Sequence, residues 1–412
     1  MNVFSYVILI ALVLQFTLDT VANTLNLKAL KNEIPAALAG IYQPEEYRKS
    51  QEYTRSLTRF GFVTGSFSLL VILLFWFTGG FNFLDQVVRS WGFVPIVTGL
   101  CYTGILLTAY ELLTLPFSIY STFVIEERFG FNRTTPRVFI TDNLKGLVLT
   151  IVLGGTILAA VLVLFEYADN YAWLYCWLLI TNFNIVVQFI SPIWIMPLFN
   201  KFTPMEPGEL KDAIQNYARS TGYKIGNISV MDGSRRSTKA NAFFTGFGRT
   251  KRIALFDTLI SKHTIPELVA ILAHEIGHYK KKHILWGMLI SIAHTGLIFY
   301  LLSVLLSISG LYQAFHMDHN SIYTGLIFFG LLYTPLEMIL SLGLQIISRR
   351  HEYVADRFAA QTTGKTESLI AALKKLNSEN LSNLTPHPFY VFLNYSHPTL
   401  LQRILAMERL KA

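Results

Sequence analysis

The sequence predicts a mainly α-helical integral membrane protein, with seven transmembrane helices and a cytoplasmic part that carries a small β-sheet. Three observations predict it. Hydrophobic residues make up 52% of the 412 and charged residues only 15%, against about a quarter in soluble domains. Seven apolar stretches are long enough to cross a bilayer, which takes roughly 20 helical residues. The Lys and Arg residues, which give a net charge of +8, fall almost entirely on one side of those stretches. This balance excludes a disordered chain, a collagen-like repeat and a disulfide scaffold. Cys101 and Cys176 both sit in apolar runs and read as small hydrophobes rather than a bridge.

The spans run Val3–Ala22, Phe60–Phe77, Gly92–Ile119, Leu144–Phe165, Trp173–Phe199, Ile284–Leu311 and Tyr323–Ile347. The first is read as a retained span rather than a signal peptide, because no basic stretch precedes it and no clear small-residue cleavage site follows. The first connection holds Lys28, Lys31, Arg48, Lys49, Arg55 and Arg59, and the third holds Arg128, Arg133 and Arg137. Of the 34 basic residues only Arg89 lies on the other side. The alternation places the N-terminus outside, and the odd-numbered connections and C-terminus in the cytoplasm. The positive charge is therefore topology and not a nucleic-acid footprint.

Asp19, Glu111, His294 and Glu337 fall inside the spans, where charge is expensive. Asp19 reads equally well as a misplaced helix end; Glu111 and Glu337 are expected to face a polar or water-filled interior. Pro192, Pro197 and Pro335 are expected to break or kink their helices near it.

Four segments follow: 1–199 with five spans, 200–283 as a cytoplasmic catalytic part, 284–347 with two spans, and 348–412 as its C-terminal portion. The segment Asn200–His283 reads as mixed α/β, with a helix over Glu209–Gly222 and strands over Ile225–Met231, Ala240–Thr245 and Arg252–Phe256. A helix over Thr264–Lys281 starts with Thr264 as N-cap, Pro266 in the first turn and Glu267 at the capping-box position. The tail from Ser348 reads as mostly helical, interrupted over Asn377–Pro388.

Within the capped helix lies His274-Glu275-Ile276-Gly277-His278. Histidines at i and i+4 share a helix face, so both imidazoles reach one zinc ion, and Glu275 projects beside them as a base for the attacking water. A catalytic zinc needs a third protein ligand from the same side of the membrane. The hairpin of spans six and seven returns the chain to that side at Ser348–Asp356. Glu352 is the natural third ligand there. Asp356, one turn on, is placed to accept from the non-ligating nitrogen of a zinc histidine. His351 points elsewhere on that helix and is a weaker candidate, and His283 reads as interfacial.

The His-Glu-x-x-His motif, two spans and then Glu352 and Asp356, in a seven-span chain, resembles the Ste24 family of integral-membrane zinc proteases, the type I CAAX prenyl proteases of peptidase family M48. Ser237–Gly246 (STKANAFFTG), Lys251–Leu259 (KRIALFDTL) and Asn394–Arg403 (NYSHPTLLQR) carry the resemblance further. It implies a gluzincin-like catalytic domain with one zinc per chain held by His274, His278 and Glu352, and Glu275 as catalytic base. It also implies Asn241 and His397 on the substrate side and Arg403 as a support, pairing with Asp356. On the residues alone, Asn241 reads as part of a strand that pairs with an extended peptide, or as a polar residue near a turn. His397 reads as a cap or core histidine; the resemblance makes it a donor to the oxyanion.

The implied activity is removal of the last three residues of prenylated CAAX proteins, in a chamber within the seven helices that suits a lipidated peptide. The alternative is a quality-control protease of broad specificity with no prenyl requirement. A transporter with a structural metal, or an inactive scaffold binding lipidated partners, fits less well, since a structural site needs no Glu275. Short second, fourth and sixth connections and the lack of a clear retrieval signal at the C-terminus point to a bacterial inner membrane, or to the endoplasmic reticulum if the chain is eukaryotic.

Overall fold

The computed structural model describes the chain except residues 32, 35–37, 39, 246–251 and 411–412. Gly246 and Lys251, at the ends of two of the motif stretches above, lie outside the described residues. Seven helices are long and apolar enough to cross a membrane: Val3–Lys28, Pro44–Phe77, Pro95–Glu126, Pro136–Tyr167, Asp169–Phe199, His283–Leu306 and Ile322–Thr363. They match the seven expected spans: five are contained whole, while the expected third span begins three residues before its helix and the expected sixth ends five residues after its helix. The second begins well before its apolar run at Phe60, because Tyr47 and Tyr53 on its polar half are buried in the extramembrane core.

The third, fourth and fifth spans pass through π-helical turns at Ser121–Glu126, Thr150–Gly155 and Ser191–Ile195. Pro192 lies in the last of these, a common place for a local widening of the helix. Pro335 lies inside the helix Ile322–Thr363, which is continuous through it. A short helix, Gly80–Ser90, fills the connection between spans two and three.

Two cores lie at opposite ends of the spans. The larger joins Tyr42 and Tyr47, Ile125 to Phe131, Met205 to Ile276 and Ala359 to Met407. The first and third connections, the long fifth connection and the C-terminal segment therefore pack together at one end. The smaller gathers Ile8, Trp76, Phe81, Phe315 and Phe328 at the other, where the Phe315 and Phe328 rings stack at 3.8 Å.

At the larger core sits a four-stranded sheet: β1 (Phe202–Pro204), β2 (Asn227–Met231), β3 (Ala242–Thr245) and β4 (Arg252–Phe256), in the order β1-β2-β4-β3. β2 and β4 run parallel, and β3 is antiparallel to β4 at the edge. β1 escaped the sequence reading; it is three residues long and ends in Pro204, as suits an edge strand. After β4 the chain makes one short helix, Asp257–Ile260, and enters the helix Ile265–Lys280.

That helix starts as its sequence dictates. Glu267 accepts from the Thr264 backbone amide at 2.8 Å and takes Lys375 Nζ at 2.8 Å and 3.0 Å. Burial works against ionisation of Glu267, yet Lys375 and the Thr264 amide hold its carboxyl below the ordinary value. A depressed folded value means that the stabilisation is complete above the unfolded glutamate value of about 4.3 and is lost as pH falls through the folded value. Glu267→Gln is expected to lower the thermal unfolding midpoint of the detergent-purified protein at pH 7 by about 2–4 °C. The gap to wild type should close below about pH 4; a gap that widens on acidification would contradict the assignment.

Candidate metal centre

Two helices meet to build the site. His274, Glu275 and His278 come from Ile265–Lys280, and Glu352 and Asp356 from the last turns of Ile322–Thr363. The meeting is close because Gly277 has no side chain: a Cβ there would stand 3.1 Å from both Cα and the carbonyl oxygen of Ala355. Glycine at this point of the motif lets the two backbones approach.

The imidazole nitrogens of His274 and His278 and a Glu352 carboxylate oxygen all lie within 4.8 Å of one another. His274 Nε2 is 3.1 Å from His278 Nε2, and His278 Nε2 is 3.2 Å from Glu352 Oε1. Three ligand atoms thus point to one spot. Glu352 is only 4% exposed, and its Oε2 finds no hydrogen-bond partner among the described residues. The nearest polar groups to that oxygen are His274 Nε2 at 3.4 Å and Arg403 Nη1 at 3.5 Å, so the carboxylate is held by charge rather than by a hydrogen bond. Two imidazoles and one carboxylate are also the donor set of a catalytic metal with an open position. The residues present therefore fit a metal.

The rest of the cluster orients these groups. Asp356 Oδ1 is 2.8 Å from His274 Nδ1, which leaves Nε2 turned towards His278 and Glu352. Arg403 grips the same carboxylate with both arms, Nε to Oδ2 at 2.8 Å and Nη2 to Oδ1 at 2.6 Å. Arg403 Nη1 also stands 3.5 Å from Glu352 Oε2. Burial pulls the pKa of His274 down, but Asp356 and Glu352 outweigh it and push it up to about 9. A metal binding here displaces that proton. Burial raises the Glu275 carboxyl above its usual range, with His274 and His278 opposing.

His397 lies at the open side of the cluster. Its ring is 62% exposed, with Nε2 3.4 Å from Glu352 Oε1 and Nδ1 2.9 Å from Ser396 Oγ. The loop that carries it is tied to the long helix by Arg349 Nη1 donating to the Tyr395 carbonyl at 2.5 Å and Gln345 Nε2 to that of Leu393 at 3.1 Å. Asn241 is exposed and sits just before β3, not inside it. Asn380, which sequence reasoning missed, brackets the preceding residue: its Oδ1 accepts from the Ala240 amide at 3.2 Å and its Nδ2 donates to the Ala240 carbonyl at 3.3 Å.

The structure gives His283 partners that its sequence did not signal. Its Nδ1 is 3.0 Å from His278 Nδ1, and its ring stacks on that of His351 at 3.9 Å and 3°. Glu337 pairs with His294 at 3.2 Å between spans six and seven. With Asp19 and Tyr333 it lines a cleft of about 360 Å³ against the first span. Glu111, by contrast, is exposed on the helix surface.

Two outcomes are expected. Arg403→Met leaves the Asp356 carboxylate buried without its cation and should destabilise the protein by about 3–5 kcal/mol in denaturant unfolding. Gly277→Ala forces the helices apart by a few tenths of an ångström, with a stability loss of about 1–3 kcal/mol and weaker metal binding in a chelator competition. Wild-type metal affinity in Gly277→Ala would show that the close approach does not set the ligand geometry.

Comparison with known proteins agrees with this architecture. Residues 23–201 match the family model described as CAAX prenyl protease N-terminal, five membrane helices, and residues 204–411 match peptidase family M48. CAAX prenyl protease 1 of Saccharomyces cerevisiae is 36% identical over 92% of this chain and 90% of its own. A homolog of that protease in Arabidopsis thaliana is 35% identical over 96% of both chains, and one in Homo sapiens 33% over 92% and 89%. The crystal structure of S. mikatae Ste24p superposes with a TM-score of 0.92 over 99% of each chain at 35% identity. With both halves matched and relatives of this identity over nearly its whole length, the chain belongs to peptidase family M48 and is a multi-pass membrane metalloprotease of the CAAX prenyl protease 1 type.

Proposed function

We propose that the chain is a zinc endopeptidase that removes the C-terminal tripeptide of prenylated CAAX proteins, with His274, His278 and Glu352 as metal ligands. The observation that carries this is the buried Glu352 carboxylate closing a triangle with two histidines, while Glu275 stands on the helix of those histidines. Two neutral imidazoles and one carboxylate favour zinc, which when bound supplies Lewis acidity and an acidified water.

The protein's own residues do the remainder. Glu275 takes a proton from the attacking water and returns it to the departing amine, and its raised carboxyl matches a base that must also act as acid. His397, exposed at the open side, donates to the carbonyl oxygen as negative charge develops there. Asp356 and Arg403 hold His274 in the tautomer that presents Nε2. An extended peptide adds to the free edge of β3, where Asn241 meets its backbone.

The catalytic end faces the cytoplasm, since the basic connections and both cytoplasmic segments pack in the larger core. The eukaryotic sources of the relatives named above support the endoplasmic reticulum as the membrane over the bacterial inner membrane expected from short connections. Lipid and peptide are the expected partners, with no nucleic acid.

The test is cleavage of a farnesylated CAAX peptide and its unprenylated twin, with Glu275→Gln as control. The variant is expected to retain one zinc and lose at least about 1,000-fold in activity. Full activity in Glu275→Gln would end the proposed mechanism. Equal cleavage of the two peptides would establish the broad quality-control reading in place of CAAX specificity.

A further inference from the structure

The two histidines of the motif are held by different chemistry. His274 is held by a carboxylate, Asp356, which is itself neutralised by Arg403. His278 has another imidazole in that place: His283 Nδ1, at 3.0 Å from His278 Nδ1. His278 Nε2 faces His274 and Glu352, so in a metal-competent ring the proton is on Nδ1 and is donated to His283.

We propose that His283 is a positioning residue for the metal ligand His278, accepting its Nδ1–H and so aiming Nε2 at the metal. The inference rests on the metal reading above.

The backbone is shaped for it. The motif helix ends at Lys280, Lys282 adopts a left-handed conformation with φ 59°, and the next helix begins at His283. A non-glycine residue in that region carries about 1–2 kcal/mol of strain, and here the reversal brings the first side chain of span six back towards the motif. His351 then covers the His283 ring in a parallel stack, fixing its plane, and its neighbour Glu352 is the third ligand. The stack therefore ties the first residue of span six to the helix Ile322–Thr363 that carries Glu352.

The choice of a neutral acceptor has a chemical consequence. A carboxylate partner raises the basicity of a ligating imidazole and drains the metal's charge. Only one of the two motif histidines carries that load, so more of the metal's electrophilic character is left for the substrate carbonyl.

The experiment compares His283→Leu with His283→Asn in the full-length protein. Asparagine places its amide oxygen near the position of the lost Nδ1; leucine places a methyl group there. After metal removal, zinc affinity is measured by chelator competition, and the visible absorption bands of the Co²⁺-loaded protein report ligand geometry. His283→Leu is expected to weaken zinc by about 10–100-fold and shift the Co²⁺ bands, while His283→Asn stays within about tenfold of wild type with bands near wild type. If the leucine variant does not fold, His283→Met takes its place. Wild-type zinc affinity and Co²⁺ bands in the leucine variant would overturn the proposal, and so would equal losses in leucine and asparagine variants. Failure of the wild type itself to bind zinc would instead overturn the metal reading, and this inference with it.

Discussion

The site depends on one backbone contact, the seating of Gly277 against Ala355. The residues on either side of that contact, His274 and His278 on one and Glu352 on the other, come from helices far apart in the chain, and no short-range propensity brings them together. A hydrogen in place of a side chain lets the helix axes approach until Glu352 reaches both imidazoles. Everything else around the site serves that approach. Arg403 neutralises Asp356, Asp356 holds His274, and Lys375 with Glu267 secures the first turn of the motif helix. Buried charge is tolerated here because each carboxylate has a cationic or imidazole neighbour, Arg403 for both Asp356 and Glu352 and Lys375 for Glu267.

The electrostatics of the chain work on two scales. Over the whole molecule, basic residues gather at one end of the spans, the pattern that the positive-inside rule associates with orientation. Within a few ångströms of the ligands, paired charges govern proton position on individual nitrogens. The two scales meet physically, since the extramembrane core that covers the site is built from the same connections that carry the basic residues.

Much of this was legible in the sequence, for definite reasons. The spans could be read because a bilayer demands long apolar runs. His274 and His278 could be read because helical periodicity alone puts i and i+4 on one face. Glu352 and Asp356 needed one further step, the hairpin of spans six and seven. Features set by tertiary geometry were not legible. β1 is too short and contains a proline, so only its pairing with β2 reveals it. The roles of Asn380 and His283 depend on a loop bracket and on the left-handed Lys282, and neither residue type signals this in advance. Pro335 was expected to break or kink its helix because proline removes a helical hydrogen bond, and the helix is continuous through it.

The helix Ile322–Thr363 extends through 42 residues, about 63 Å at 1.5 Å per residue, which is twice the thickness of the hydrocarbon layer. Between its lipid-embedded turns and Glu352 there is no joint at which the chain could be divided. A soluble fragment cut at the membrane surface would leave Glu352 without the rod that aims it at His274 and His278. The protein is therefore not a protease tethered to a bilayer by an anchor. Its bilayer-spanning framework is part of the site, and solubilisation has to preserve that framework for His274, His278 and Glu352 to stay together.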